Sequence, residues 1–277
     1  MGVSSRDNMM RLKHLLSVLA ICGLSSILPA CVPKYAITTT YMPLQLGDTT
    51  VNVVLHEAAT PGLTYLNIHD NENTSVAAAL DVIGEYGGRV IELKHSGDRN
   101  ITFHLSDTTY EFDPNRMFTE QGRITTLEQF SDATDEALAV VRAFADEVLQ
   151  RLDPAGLDVV VTLHNTAQGT YSVFVYTPGG DHEKEAEISY VSDKRDPNDF
   201  YFVTDYDTYE QLSRLEHNVV LQDNANATDD GSLSVWSAQQ HIVYVNVEAQ
   251  NGHQREQVVM LHNLHEIFYT DGEAVVP

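Results

Sequence analysis

The chain has 277 residues, of which 43% are hydrophobic and 20% are charged, a composition typical of a globular protein with one large domain or two small ones. Asp and Glu together number 40 against 16 for Lys and Arg, and the formal net charge of −24 repels phosphate backbones, so we expect no nucleic-acid partner. The two cysteines are Cys22 and Cys31, which leaves the rest of the chain without a disulfide framework or a Cys-ligated metal.

The first 30 residues are typical of a secretory signal. A basic start precedes an apolar run over 15–28, which is shorter than the roughly 20 residues that a membrane-spanning helix needs. The residues that follow, Leu-Pro-Ala-Cys at 28–31, resemble the lipobox of bacterial lipoproteins, in which the peptide is cut before a cysteine that then carries lipid. We expect a lipid anchor on Cys31, an ordinary signal peptide being the alternative. Val32 in place of Asp favours the outer membrane, with the protein facing the periplasm.

Beyond the signal, residues 31–50 are predicted to be a tether and 51–277 to be one domain. Apolar runs bounded by turn residues predict strands in this domain. The runs cover 51–56, 63–69, 89–93, 101–105, 158–164, 171–176, 200–204, 218–221 and 241–248. Helical patterns cover 74–86, 131–152 and 254–269. Such alternation predicts an α/β fold, a single domain with a mixed, largely parallel central sheet flanked by helices.

Ligand sites in open α/β sheets lie beyond the carboxyl ends of the strands, and two predicted strands end in histidine. His69 ends one run, with Glu72 three residues further on, so an imidazole and a carboxylate can reach one ion. His164 ends the run at 158–164. Two imidazoles and a carboxylate suit Zn²⁺ and leave a fourth position open for water. The alternative for each histidine alone is a hydrogen-bonded residue at the end of a strand.

A third predicted strand ends in Glu248, which has no basic partner beside it in sequence. Near a metal-bound water, such a carboxylate is expected to take a proton and to return it to a leaving amine. In isolation, the same residue is a solvated surface acid.

A competing pattern, His253-x-x-Glu256, opens the last predicted helix. If it held the metal, the third ligand would have to follow that helix, where few residues remain, so we prefer the first motif. On the same helix, His262 and His265 lack the His-Glu-x-x-His order of other zinc peptidases, and we interpret them as part of a solvated face.

Four short motifs occur in one order along about residues 60–250. They are His69-x-x-Glu72, Asp113-Pro114-Asn115-Arg116, Leu163-His164 and Val247-Glu248. This order resembles that of the zinc carboxypeptidase superfamily, and the His-Asp-Asn-Glu segment is especially similar to its succinylglutamate desuccinylase/aspartoacylase branch. The resemblance implies a zinc carboxypeptidase-like fold and a Zn²⁺ cofactor.

The resemblance also implies roles for individual residues. The implied zinc ligands are His69, Glu72 and His164, and the implied general base is Glu248. Asn115 and Arg116 match the pair that holds a substrate carboxylate, a task that suits a planar guanidinium. Arg99 lies where the family often has an arginine that polarises the scissile carbonyl, a structural salt bridge being the alternative.

Two features stay open. Classical carboxypeptidases present a tyrosine on a late loop, for which Tyr201, Tyr206 and Tyr209 are candidates. The segment 229–236, which holds the only tryptophan, lines a substrate pocket in one interpretation. In the other, which we favour, it is a turn that enters a strand.

We therefore predict a zinc-dependent metallopeptidase or amidohydrolase in the bacterial envelope, which acts on peptides with a free carboxylate such as cell-wall peptides. The alternatives are a deacylase of N-acyl amino acids and a non-catalytic ligand-binding lipoprotein on the same fold. Phosphate-binding glycine loops and the Gly-x-Ser-x-Gly elbow of serine hydrolases are absent from the sequence.

Overall fold

The computed structural model describes residues 34–169, 171–270 and 273–274, so the signal and the anchor predicted at Cys31 lie outside the described residues. The strands are β1 (Ile37–Leu46), β2 (Thr49–Ala58), β3 (Thr64–Asn67), β4 (Arg89–Lys94), β5 (Ile101–Leu105), β6 (Thr108–Phe112), β7 (Val160–Thr166), β8 (Ala186–Tyr190), β9 (Phe200–Val203), β10 (Asn218–Gln222), β11 (Tyr244–Gln250), β12 (Tyr269–Thr270) and β13 (Glu273–Ala274). The helices are α1 (Asn73–Tyr86), α2 (Glu120–Phe130), α3 (Asp135–Leu152), α4 (Tyr206–Arg214), α5 (Leu233–Gln239) and α6 (Gln254–Phe268). Within the described ranges, none of the helices has both the length and the hydropathy to cross a membrane.

Nine strands form one mixed sheet in the order β1-β2-β4-β3-β7-β11-β9-β10-β8. Its centre is parallel, because β4, β3, β7 and β11 run in the same direction, and antiparallel strands flank them on both sides. The predicted α/β fold with a mixed central sheet is therefore confirmed. The parallel order places the carboxyl ends of β3, β7 and β11 side by side at one edge.

The central strands are buried on both faces, which explains their continuous apolar runs. Successive side chains of a strand point to opposite faces, so Val160 joins the core that includes Phe144 of α3. Its neighbour Val161 joins the opposite core, with Val82 of α1 and Leu264 of α6. Helices thus cover both faces and leave the strand ends free for a site.

Three segments differ from the sequence prediction. Residues 37–46, predicted as part of a tether, form β1 and pair with β2 along their whole length. Most of the β1 side chains are exposed, so this edge strand carries little apolar signal. Residues 173–176 form a 3₁₀ turn rather than a strand, because their apolar side chains pack on Phe200 and Phe202 instead of pairing in the sheet. Helix α3 begins after Thr134, whose side chain accepts a hydrogen bond from the Ala137 N–H, and not near residue 131.

Candidate metal centre and cleft

His69 and Glu72 lie in the turn that joins β3 to α1. The Glu72 N–H donates to the His69 carbonyl oxygen at 3.1 Å, which closes the turn. The Glu72 carbonyl in turn accepts from the Ser75 hydroxyl at 2.7 Å. These bonds hold both side chains on the same side of the turn, with the His69 Nδ1 atom 2.9 Å from the Glu72 Oε1 atom.

His164 comes from β7, the parallel neighbour of β3, and completes a buried group of three. Its Nδ1 atom lies 3.0 Å from the Glu72 Oε2 atom and 3.1 Å from the His69 Nδ1 atom. All three side chains are buried. Of the residues that the structure describes, only these bring three or more His, Cys, Asp or Glu ligand atoms within 4.8 Å of one another.

The geometry of this group fits a small divalent cation. Tetrahedral zinc with bonds of about 2.0–2.2 Å places its ligand atoms roughly 3.3–3.6 Å apart, a few tenths of an ångström more than the separations of 2.9–3.1 Å seen here between the two Nδ1 atoms and the two oxygens of Glu72. The donor set, two imidazole nitrogens and a carboxylate, is one that suits zinc. Burial alone would raise the pKa of Glu72, but the charges and hydrogen bonds of His69 and His164 outweigh it and lower that pKa, so the group holds a carboxylate.

We call the three residues His69, Glu72 and His164 the metal group. Asp113 orients His69 from the side of the imidazole that faces away from this group. Its Oδ1 atom lies 2.8 Å from the His69 Nε2 atom, and it also accepts from the Asn115 N–H. A carboxylate on the far nitrogen fixes the imidazole tautomer, so that Nδ1 presents its lone pair to an ion. Burial would raise the pKa of Asp113, but the hydrogen bond and charge of His69, and then Arg99, lower it. The sequence by itself indicates no role for Asp113, although the residue lies inside the Asp-Pro-Asn-Arg motif.

Arg99 forms salt bridges with both Glu72 and Asp113. One guanidinium nitrogen lies 2.8 Å from the Glu72 Oε1 atom and another lies 3.2 Å from the Asp113 Oδ2 atom. The side chain is 45% exposed and lines the cleft, so it combines the structural salt bridge with access to a ligand. Its action on a scissile carbonyl stays a prediction.

Glu248 faces the metal group from the next strand. In the register of β11 and β7 it pairs with His164, and the carboxylate is buried at the wall of the same cleft. It is therefore not the solvated acid of the alternative interpretation. Burial, followed by the negative charge of Glu72, raises the pKa of the Glu248 carboxyl. Since both causes oppose ionisation, a cation at the metal group would favour the carboxylate form.

The cleft beside these residues has a volume of about 320 Å³. Asn115 and Arg116 line it from a 3₁₀ turn that Asp113 caps, and the Asn115 Oδ1 atom accepts from the Leu233 N–H at 3.4 Å. Arg116 is already paired within the chain, because one of its guanidinium nitrogens lies 3.0 Å from the Asp230 Oδ2 atom. No local pattern in the sequence predicts this pairing.

The segment 229–236 lines the cleft and leads into a helix. Ser232 caps α5, and Asp230, Ser232 and Ser234 are at the cleft wall, so the interpretation as a turn into a strand is wrong. Trp236 instead packs, partly buried, against the core on the α3 face. Polar side chains at the start of α5 thus belong to the site.

The tyrosines of the cleft are not those singled out from the sequence. Tyr201 and Tyr209 are buried in the core, where the Tyr201 hydroxyl donates to the Met260 carbonyl, and Tyr206 is exposed on α4. The cleft is lined instead by Tyr171, Tyr176 and Tyr244, and the hydroxyls of the first two contact each other. Burial raises the pKa of all three phenols, so they are neutral. The signal for Tyr171 and Tyr176 in the sequence is the apolar run at 171–176, a pattern that predicts a strand equally well.

The competing pattern lies outside the metal group. The His253 Nδ1 atom is 2.9 Å from the Asp199 Oδ2 atom, at the start of α6, and Glu256 is exposed. His262 and His265, predicted to be solvated, are half-buried, and their rings pack against Tyr86 of α1. The described part of the chain thus offers one metal group, formed by the first motif.

Comparison with known proteins gives matches among solved structures alone. No family model matches the chain, and no curated protein does so. The ectoine utilization protein EutE (DoeB) from Ruegeria pomeroyi is similar, with 14% identity and a TM-score of 0.43, over 85% of this chain and 68% of that one.

Two further solved structures are similar to this chain. The succinylglutamate desuccinylase/aspartoacylase from Rhodobacter sphaeroides has 16% identity and a TM-score of 0.43, over 83% of this chain and 64% of that one. The murein-tripeptide amidase MpaA from Escherichia coli O157 has 12% identity and a TM-score of 0.42, over 80% of this chain and 90% of that one.

Proposed function

We propose that this protein is a zinc-dependent amide hydrolase that acts on substrates with a free carboxylate. The observation that carries the proposal is the convergence of two kinds of group on one cleft. A buried set of metal-ligand type, His69, Glu72 and His164, lies at the adjacent ends of β3 and β7, and a buried carboxylate, Glu248, lies on the next strand, β11. Ligands on one side and a base on the other are what metal-assisted hydrolysis requires.

Each of these residues has a separate role in the proposed reaction. A zinc ion held by the three ligands would supply a Lewis acid and lower the pKa of an adjacent water to about 7. Glu248 accepts a proton from the attacking water and returns it to the leaving amine. Because its carboxylate is buried, bulk water does not compete for this proton. Arg99, at the rim, stabilises negative charge as it develops on the scissile carbonyl oxygen.

The substrate side of the proposal rests on Asn115 and Arg116, whose donors line the cleft beyond the metal group. Peptides of the cell wall fit this requirement and the predicted location in the envelope. Small N-acyl amino acids are the second candidate class, which a cleft of about 320 Å³ accommodates. A non-catalytic binding lipoprotein is the third candidate. The burial of the Glu248 carboxyl beside the three ligand residues weighs against it, because burial and the charge of Glu72 both disfavour a carboxylate at this place.

The decisive experiment measures metal content and hydrolysis on purified protein. We expect one equivalent of zinc, and turnover of cell-wall peptides or N-acyl amino acids in a substrate screen. Glu248→Gln keeps the size of the side chain but cannot accept a proton, so zinc should stay bound while turnover falls about 10²–10⁴-fold. His164→Ala should lose both zinc and turnover.

Glu256→Gln is the matched control, because it makes the same change in the competing motif on an exposed residue. It should leave zinc content and turnover unchanged. Zinc binding without hydrolysis of any amide in the screen would favour the non-catalytic alternative. Near-parental turnover by Glu248→Gln would overturn the assignment of the base.

The envelope location is a separate proposal that rests on Leu-Pro-Ala-Cys at 28–31. We expect Cys31→Ser to abolish lipidation, so that the precursor stays uncleaved or the protein leaves the membrane fraction. Metabolic labelling with a fatty acid and fractionation of cells would measure this. Processing and partitioning like those of the parent protein would refute the lipid anchor.

A further inference from the structure

Helix α6 carries a buried amide among its apolar side chains. Gln257 lies one turn before Met260 and Leu261, on the face that packs on the sheet, and its side chain is completely buried. The burial of an amide costs free energy unless its polar atoms are hydrogen-bonded, so packing alone would favour an apolar residue at this position. The partners of Gln257 therefore indicate what its amide does.

The Gln257 side chain joins two neighbouring strands beside the residues of the site. Its amide nitrogen donates to the His164 carbonyl oxygen of β7 at 3.1 Å and to the Val247 carbonyl oxygen of β11 at 3.3 Å. Val247 directly precedes Glu248, which pairs with His164 in the register of the two strands. One amide thus links the backbone of a metal-group residue to the backbone beside the proposed base.

The Gln257 oxygen extends this connection to helix α1. It accepts from the Asn165 amide at 3.0 Å, and the Asn165 Oδ1 atom accepts from the Ser75 N–H at 2.8 Å. Ser75 lies in the first turn of α1, where the N–H groups have no partner within the helix. Glu72 precedes this helix but makes no capping bond, because its carboxylate lies in the metal group. Asn165 therefore caps α1 from strand β7.

The start of α1 in turn holds the turn of the first motif. The Ser75 hydroxyl donates to the Glu72 carbonyl at 2.7 Å and accepts from the Asn67 amide at 3.0 Å. We call the connected polar residues the polar chain, which consists of Asn67, Ser75, Asn165 and Gln257. It joins α6 to β7, to β11 and to the turn between β3 and α1, the segments that carry the metal group and Glu248.

We propose that Gln257 is a positioning residue for the metal group, and that its hydrogen bonds set the spacing between His164 and the turn that carries Glu72. Zinc–ligand distances vary by only a few tenths of an ångström, so a shift of one segment relative to the other weakens binding of the ion. This inference rests on the proposed function for the identity of the metal, but it does not depend on turnover.

Gln257→Met tests the proposal, because methionine fills a similar volume and makes none of the three hydrogen bonds. The zinc affinity of the folded protein, measured by competition with a chromophoric chelator, should fall about tenfold or more, as is typical when a group that orients metal ligands is lost. With Co²⁺ in place of zinc, the visible absorption bands of the metal should change as well, since they depend on ligand geometry. Neither measurement requires a substrate.

Asn218→Leu is the matched control for the loss of a buried amide. The Asn218 side chain is also completely buried, donates to the carbonyl oxygens of Asp196 and Asp199, and accepts from the Ser192 N–H. None of these partners belongs to the metal group or to the polar chain. Asn218→Leu should therefore lower the urea midpoint of unfolding, as Gln257→Met does, while its zinc affinity and Co²⁺ spectrum match those of the parent.

Gln257→Asn is a second variant in case the first does not fold. It keeps an amide, but its side chain is one methylene shorter and cannot reach all three partners, so zinc affinity should again fall, by a smaller factor. A folded Gln257→Met protein with the zinc affinity of the parent would overturn the proposal. If that protein does not fold, parental zinc affinity in Gln257→Asn would do the same.

An equal loss of zinc affinity in Asn218→Leu would also overturn the proposal, because the loss would then follow from the removal of any buried amide. Failure of the proposed hydrolysis shows itself differently. In that case the parent protein binds zinc, the Gln257 variants bind it more weakly, and none of them cleaves an amide.

Discussion

Asp113→Asn separates the support of the metal group from the ligands themselves. The carboxylate bonds the His69 Nε2 atom at 2.8 Å through Oδ1 and the Arg99 guanidinium at 3.2 Å through Oδ2. An asparagine keeps one oxygen for the His69 N–H, but its amide group faces the Arg99 donors and it carries no charge. We expect lower affinity for zinc with His69, Glu72 and His164 all still present.

The expected loss of zinc affinity depends on which Asp113 contact contributes more, the one to His69 or the one to Arg99. Loss of such a supporting carboxylate typically reduces metal affinity 10–100-fold, or about 1.4–2.7 kcal/mol. The contact to Arg99 contributes little, because that side chain is 45% exposed. Asparagine retains the bond to His69, so we expect about tenfold for Asp113→Asn and nearer a hundredfold for Asp113→Ala.

Competition with a chromophoric chelator measures this affinity without any substrate. Glu111→Gln is the control, because the Glu111 carboxylate lies on the neighbouring strand β6 and bonds Asn100 rather than a ligand residue. Its zinc affinity should equal that of the parent. If Asp113→Ala binds zinc within twofold of the parent, Asp113 does not support the metal group, and the reasoning from His69 fails.

Two further predictions concern stability. Gly231→Ala should lower the free energy of unfolding by roughly 1–3 kcal/mol, since φ is +81° and the new Cβ would overlap the Arg116 carbonyl and Gly122. Gly97 has a similar φ of +83°, but an added Cβ would have no atom within 4 Å, so Gly97→Ala should lower the free energy of unfolding by less. Urea unfolding measures both losses, and equal losses would contradict the overlap at Gly231. Burial, followed by the charge of Arg195, lowers the pKa of His217 from 6.5 to about 4. The unfolded chain therefore binds more protons between these values, and the free energy of unfolding should fall by roughly 3 kcal/mol as pH drops through this window. His217→Gln should flatten that part of the pH profile in urea titrations, and a profile that keeps its slope would show that other groups cause it.

The central strands were predictable from the sequence because they are buried on both faces. Continuous apolar runs marked β7 and β11, and the structure confirms both strands, with His164 and Glu248 close to their carboxyl ends. Edge elements gave weaker signals. Strand β1 exposes most of its side chains, and helix α5 is only seven residues long, so neither has an apolar pattern that stands out.

The contacts between distant segments were not predictable in the same way. The pairing of Arg116 with Asp230 joins residues more than a hundred positions apart, and no local pattern relates them. The tyrosines at 171 and 176 line the cleft because a 3₁₀ turn packs on β9, whereas the same apolar run satisfies the pattern of a strand equally well.

By itself, the sequence determined the α/β class, the central strands and the identity of the residues that end them, since hydrophobic periodicity and the chemistry of His and Glu are local properties. The tertiary structure decided which of those residues meet. His69 and His164 converge because β3 and β7 are parallel neighbours, and His253 stays apart because it bonds Asp199 at the start of α6. Convergence depends on the order and register of strands, which arise from packing across the whole sheet and leave no trace in a short motif.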